Sequence, residues 1–211
     1  MELADIRKDY SSKSLDIKGM NPNPLEQFKL WLSNALSAAV NEPTAMHLST
    51  VNKAMKPSGR IVLLKGVDEG FVFFTNYSSQ KGLHLSENPF AALTFFWPEL
   101  ERQVRVSGKV TKIPAEESDA YFLSRPKESQ IGAWASPQSQ VIPDRDFLEK
   151  NLANTVERFQ GEPLKRPETW GGFRLMADEI EFWQGRPARL HDRVRYVLSG
   201  NKEWKMERLA P

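Results

Sequence analysis

The 211-residue chain contains no cysteine. That excludes a disulfide scaffold, thiolate metal sites and cysteine catalysis, and it is compatible with the cytoplasm. Its three histidines, His47, His84 and His191, lack metal-ligand spacing, so no metal is expected. An excess of one charge is also missing: 29 Lys and Arg stand against 27 Asp and Glu, for a net charge of +2. The global basic field of a nucleic-acid binder is therefore absent, and any anion site must be a local cluster. No apolar run approaches the roughly 20 residues that span a membrane. Met1 to Asp5 lacks the basic-then-apolar pattern of a leader. The phosphate-binding patterns G-x-G-x-x-G and G-x-x-x-x-G-K-[ST] and the zinc pattern H-E-x-x-H are not found. What remains is ordinary for a globular domain, with 40% hydrophobic and 27% charged residues.

The patterning divides the chain into a polar arm over residues 1–20 and one domain over 21–211. Asn21-Pro22-Asn23-Pro24 is a helix start signal, and Leu25, Phe28, Leu32, Leu36 and Ala39 predict an amphipathic helix over 24–40. Strand-like runs follow from Met46, over Arg60 to Lys65, over Phe71 to Asn76, over Ala91 to Trp97 and over Val104 to Ile113. A polar turn, Tyr77 to Gly82, precedes a short helix over Leu83 to Asn88. Helices are expected over Ala115 to Ser124, after Pro126, and over Asp144 to Gln160, the last with Phe147, Leu148, Leu152, Val156 and Phe159 on one side. Three closing strands are expected over 173–184, 193–199 and 203–209. Many strands on short connections, with few helices, predict a mainly antiparallel β-barrel decorated by helices.

Candidate functional groups gather at element ends. Between the last strands, Trp183-Gln184-Gly185-Arg186-Pro187-Ala188-Arg189-Leu190-His191-Asp192-Arg193 carries more charge than a turn requires. Arginine forks suit phosphate and carboxylate, and their planes stack on aromatic rings. Arg60 and Lys65 bracket one strand; Lys81 lies beside Ser78 and Ser79; Gln103 opens another strand. Tyr121, Arg125 and Ser129 recur every four residues, and Gln138 and Ser139 follow Trp134 in a polar loop. Charged donors, hydroxyls and amides of this kind are what phosphate recognition needs. Each has a plainer reading as a surface residue, and the acids Glu116, Glu117, Asp144 and Asp146 read as helix-start residues. Arg60 and Lys65 stand an odd number of residues apart, so a regular strand sends them to opposite faces. They share a site only if the strand bends or one of them acts at its end.

Taken together, the motifs resemble the pyridoxamine 5′-phosphate oxidase family. The match rests on Arg60-Ile61-Val62-Leu63-Leu64-Lys65, Leu100-Glu101-Arg102-Gln103-Val104, Ser124-Arg125-Pro126 and Ser129-Gln130-Ile131-Gly132-Ala133-Trp134. Trp170-Gly171-Gly172-Phe173-Arg174, Glu181-Phe182-Trp183-Gln184-Gly185 and Arg189-Leu190-His191-Asp192-Arg193 complete it. The resemblance implies an FMN-binding split β-barrel, a homodimer with FMN between subunits, and oxidation of pyridoxamine or pyridoxine 5′-phosphate to pyridoxal 5′-phosphate with O2 as acceptor. It implies FMN contacts from Arg60, Ile61, Val62, Leu63, Leu64, Lys65, Phe74, Thr75, Gln80, Lys81, Gln103, Gln138, Ser139, Trp183 and Arg193. It implies substrate contacts from Arg7, Tyr10, Lys65, Tyr121, Arg125, Ser129, Arg189, Leu190 and His191, with Arg189 and His191 nearest the chemistry. In two places the chain departs from the pattern: Gln80-Lys81 stands where the family usually has Arg-Lys, and Phe74 where a tyrosine is common, which matters less if that contact is made by backbone. A flavin reductase using a nicotinamide, and a non-catalytic binder of FMN or pyridoxal phosphate, are the competing expectations.

Overall fold

The computed structural model describes residue 10 and residues 13–161 and 163–211. Arg7 therefore lies outside the described residues. Helix α1, Pro24–Ser37, opens on the cap of Asn23, whose side-chain oxygen accepts from Leu25 N. It buries Pro24, Gln27, Phe28, Trp31 and Ala35. This corrects the expected stripe: of its members only Phe28 is buried, and Leu36 is exposed. The buried face is turned because Trp31 docks edge-on against Phe182, with ring centroids 5.1 Å apart, while the Arg102 guanidinium covers the indole at 4.2 Å. Three residues shorter than expected, α1 ends at Ser37, and Ala39 turns the chain with φ 51°.

Among the described residues nine strands form one antiparallel sheet: β1 Ala45–Val51, β2 Pro57–Leu63, β3 Gly66–Val67, β4 Phe71–Asn76, β5 Phe90–Trp97, β6 Arg102–Lys112, β7 Trp170–Gln184, β8 Asp192–Leu198 and β9 Trp204–Leu209. The order is β2-β1-β5-β6-β7-β4-β3, with β8 and β9 added beside β7. β2 and β4 stand far apart in that order yet touch, and Lys65 N donates to Val72 O at 2.8 Å, so the sheet curls toward closure. Strand β6 alternates buried and accessible residues along its length, with Val104, Val106 and Val110 inward. A bulge at Ser107/Gly108 bends it where it pairs with β7. The core is aromatic: Phe28 meets Phe95 at 4.8 Å and Phe71 at 4.9 Å, and all three are fully buried. Emptying the Phe28 position to alanine is worth about 3–5 kcal/mol. Tyr196, also in this core, donates its hydroxyl to Asn21 O at 2.7 Å, and burial pushes its phenol up to about 12.

The remaining helices are α2 Gln80–Glu87, α3 Ala115–Ser124, α4 Lys127–Ala135 and α5 Arg145–Arg158. The second differs from expectation in a way that bears on function. Ser79 caps it, its hydroxyl accepting from Gly82 N, so Gln80 and Lys81 belong to the first helical turn and not to a loop. The fifth packs on α4 yet has no buried residue of its own, and Leu152 and Val156 are exposed, so its apolar stripe is not core.

Candidate active site

Strand β2 ends at Leu63, Leu64 turns inward to the core, and Lys65 emerges beyond the strand. That break resolves the parity conflict: Arg60 and Lys65 both line one cleft of about 520 Å³, with Ile61, Val62 and Leu63 between them. Arg60 is fixed from below. Its Nη1 donates to Thr50 Oγ1 at 2.7 Å, Ser58 O at 3.1 Å and Leu48 O at 3.2 Å, and its Nη2 donates to Ser58 Oγ at 2.8 Å. Lys81 reaches in from the first turn of α2, with Nζ 3.1 Å from Thr75 Oγ1, 3.4 Å from Ser79 Oγ and 3.5 Å from Gln138 Oε1. These partners are all neutral oxygens. Burial first, and the Arg60 charge second, hold the Lys81 ammonium below its ordinary value.

The opposite wall is aromatic and cationic. Phe74 stacks on Tyr121 at 3.9 Å and on Trp170 at 5.5 Å, and Arg125 lies over the Trp170 ring at 4.6 Å. Gln130 holds the α3–α4 junction by donating to Arg125 O at 2.8 Å, and Ser129 opens toward the same cleft. Arg125 Nη1 is buried and has no hydrogen-bond partner. Among the described residues no carboxylate pairs with Arg60, Lys65, Lys81 or Arg125. Lys81 is buried and Arg60 and Arg125 are half-buried, and cations so placed without counter-charges are costly unless an anion joins them; Lys65 stands exposed at the mouth. The donor set, with hydroxyls and amides interleaved, fits phosphate.

A second cluster crosses the sheet. Gln103 pairs with Trp183 and Trp183 with Arg193, so the three form one row over β6, β7 and β8 on the outer face. Buried Glu181 grips Arg193 at two points, Nε to Oε1 at 2.8 Å and Nη2 to Oε2 at 3.0 Å, and that hydrogen-bonded pairing raises the arginine's proton affinity. The loop after β7 carries Arg186 to His191. His191 Nδ1 accepts from Arg186 N at 3.1 Å, which places the ring proton on Nε2. Trp183 tilts against His191 at 4.7 Å, and Tyr10 meets both rings edge-on at 5.6 and 5.7 Å. Ala188 and Arg189 are both left-handed, with φ 54° and 61°, a strained pair, and the Arg189 side chain is exposed and has no ion pair among the described residues.

Within one chain, then, the expected residues form two groups. Arg60 to Leu63, Lys65, Phe74, Thr75, Lys81, Tyr121, Arg125, Ser129 and Gln138 share the cleft. Tyr10, Gln103, Trp183, Arg189, Leu190, His191 and Arg193 belong to the row and its loop and do not line it. Leu64 is a correction: its side chain is core and its amide is spent on Thr44 O, leaving only its carbonyl for a ligand. Gln80 and Ser139 are exposed beside the cleft and do not line it. Trp170, Thr50, Ser58 and Glu181 went unnoticed as supports because they act through other residues. Only Trp170 and Glu181 had a signal, their place within long motifs.

A curled antiparallel sheet with a cation-lined cleft at its rim defines a split-barrel protein. A pyridoxamine 5′-phosphate oxidase-related, FMN-binding protein from Nostoc punctiforme shares this fold, with a TM-score of 0.71 at 17% identity over 91% of this chain and 100% of that one. The sequence profile described as pyridoxamine 5′-phosphate oxidase matches residues 32–158, and that described as the pyridoxine 5′-phosphate oxidase C-terminal dimerisation region matches 170–211. The chain belongs to the pyridoxine/pyridoxamine 5′-phosphate oxidase family. Relatives of that name from Cytophaga hutchinsonii and Paraburkholderia phymatum are 54% and 56% identical, each over 99% of this chain and 98% and 99% of theirs. The structure of PhzG from Burkholderia lata, in complex with tetrahydrophenazine-1-carboxylic acid, is 31% identical with a TM-score of 0.90 over 97% of this chain and all of that one.

Proposed function

We propose that the protein oxidises pyridoxine or pyridoxamine 5′-phosphate to pyridoxal 5′-phosphate, with FMN as cofactor and O2 as electron acceptor. One observation carries this: a single cleft presents two sets of unpaired cations, Arg60 with Lys81 and Lys65 with Arg125, so it can take two phosphate monoesters. Arg60, Thr75, Lys81 and Gln138 suit the FMN phosphate, and Lys65, Tyr121, Arg125 and Ser129 the substrate phosphate. The Gln103–Trp183–Arg193 row and the Arg189–His191 loop would complete the site from a second protomer, in keeping with the dimerisation region matched at 170–211. No helix among the described residues is long and apolar enough to cross a membrane, and we place the dimer in the cytoplasm.

FMN, held by Arg60, Thr75, Lys81 and Gln138, would supply two-electron oxidation of the substrate, with O2 as the final acceptor giving H2O2. The protein supplies orientation and charge. Arg125 and Lys65 anchor the phosphate end, so the substrate ring pivots about a fixed point. Arg189, free and projecting, lays a flat guanidinium against the ring. His191 can donate from Nε2 but cannot accept there while Nδ1 faces the Arg186 amide, so it orients the substrate hydroxyl or amine and is not the proton acceptor. The alcohol yields the aldehyde directly, with two hydrogens lost; the amine yields an imine, which water converts to aldehyde and ammonia.

The test is to purify the protein, record flavin absorption, add pyridoxine phosphate under air, and measure pyridoxal phosphate and peroxide. Equimolar products with bound flavin are expected. Turnover of NADPH alone would indicate a flavin reductase, and flavin without turnover a binder. The likeness to PhzG makes tetrahydrophenazine-1-carboxylic acid the competing ligand. It carries a carboxylate and no phosphate, so assaying it beside pyridoxine phosphate, with pyridoxal phosphate as the readout, separates the two readings. A monomer that holds FMN stoichiometrically would refute the shared site.

A further inference from the structure

Residues 13–23 have little regular structure and are mostly exposed, yet side chains from the loop after β7 and from β8 and β9 hold their backbone. Asp192, the first residue of β8, is the hub. Its Oδ2 accepts from Leu15 N at 3.0 Å, and its Oδ1 accepts from Arg208 Nη1 at 2.9 Å. Arg208 Nη2 then donates to Leu15 O at 3.2 Å, so one Asp–Arg pair clasps both backbone polar groups of a single residue. Arg186 adds a third point, donating from Nη1 to Lys13 O at 3.3 Å while its Nε lies 3.6 Å from Asp192 Oδ2. The side chain of Asp192 is 20% exposed, while its partners Arg186 and Arg208 reach it from the solvent side.

What the clasp delivers is Tyr10, three positions before Lys13. Its ring stands edge-on to both Trp183 and His191. The approach requires Gly185, where a Cβ would fall 2.7 Å from Tyr10 Cγ. The loop has thus given up a side chain to admit the ring.

We propose that Asp192 is a positioning residue: its carboxylate fastens residues 13–16 to β8 and thereby sets Tyr10 against Trp183 and His191, on the surface that would complete the substrate cleft of a second protomer. Asp192 itself has no part in holding FMN or substrate. The inference rests on the functional reading above for its kinetic consequence, but the seating of the arm can be measured without it. Packing of Leu15 and Ile17 against the core is the rival anchor, and it does not involve Asp192.

The test uses the full-length holoenzyme carrying Asp192→Ala, Asp192→Asn or Arg208→Gln. Trypsin cleavage after Lys13 and Lys18, followed by mass, reports the seating. KM for pyridoxine phosphate reports that surface, and FMN Kd reports folding and the neighbouring Arg193. Losing one charge-assisted contact predicts cleavage and KM each raised about tenfold in Asp192→Ala. Asp192→Asn and Arg208→Gln should be intermediate, and FMN Kd should change less than about twofold in all three. In a cycle with Tyr10→Ala, KM of the double variant should equal that of the more affected single variant, because both act through one ring. Unchanged cleavage in all three variants would overturn the proposal in favour of the apolar anchor. Faster cleavage with additive KM effects would overturn the link to Tyr10. Absence of turnover in the unmodified protein would refute the functional reading while the cleavage assay still decides the clasp.

Discussion

Gln80→Arg is the most informative single change, because it adds a charge beside Arg60 and Lys81, where the proposed FMN phosphate would sit. The residue opens α2 beside Lys81 and is exposed. Its Oε1 accepts from Ser58 Oγ at 3.3 Å, and the same hydroxyl accepts from Arg60 Nη2 at 2.8 Å. Gln80 thus steadies Arg60 through Ser58 but brings no charge. An arginine there adds a third cation to Arg60 and Lys81. At about 6 Å in water-like dielectric each repulsion costs roughly 0.7 kcal/mol, so the ligand-free protein should lose about 1 kcal/mol and 2–4 °C in Tm. With a phosphate dianion in place the sign reverses. The new cation gains about 1 kcal/mol after screening, which is roughly fivefold in FMN Kd. Titration of apoprotein with FMN at low and high salt is the assay. The variant should bind more tightly at low salt, and the advantage should shrink at high salt. Gln80→Met, which removes the partner of Ser58 without adding charge, should not tighten binding. Equal affinity of Gln80→Arg and the parent at both salts would refute the reasoning and place residue 80 out of reach of the phosphate.

Arg125→Ala should raise KM for the substrate about ten- to a hundredfold and leave FMN bound, the worth of one charge-assisted contact; loss of flavin instead would move Arg125 to the cofactor. Arg189→Ala should lower kcat/KM more than FMN affinity, and Arg189→Lys should not restore it, because an ammonium offers no flat surface; a lysine variant that behaves as the parent would exclude stacking. Lys81 carries the pH dependence. Its ammonium is held below 10.5 in the free protein and an anion restores it, so binding takes up protons. FMN affinity should therefore fall as pH rises from that lowered value towards 10.5, while the ligand-free protein, binding fewer protons than its unfolded chain there, should gain stability over the same window. Titration and denaturation at several alkaline pH values check both arms, and Lys81→Met should abolish both trends.

Local pattern determined the strands well, because burial on one face repeats every second residue and leaves a trace in the order of residues. Strands β4, β5 and β6 fall within two residues of expectation at each end. Two further outcomes were set by pattern and motif: the antiparallel architecture, and the roster of cations and hydroxyls. Where chain neighbours did not determine the environment, the pattern misled. The start of β7 was hidden by Gly171 and Gly172, which carry no periodic signal; a Cβ at Gly172 would strike Ile113 and Phe74, so these positions are empty for tertiary reasons. The stripe of α5 was legible as one side of a helix, but its burial was not: α5 packs on α4, Trp134 meets Phe159 at 5.2 Å, and Leu152 and Val156 stay exposed. Arg60 and Lys65 looked incompatible by parity, and only the end of β2 at Leu63, with Leu64 drawn into the core, put both on one cleft. The support of Arg60 by Thr50 and Ser58, of Arg193 by Glu181 and of the arm by Asp192 could not be read along the chain. These contacts join residues 2 to 177 positions apart. Periodicity records which face of an element is buried, whereas the partner of a buried charge is chosen by the three-dimensional closure of the sheet.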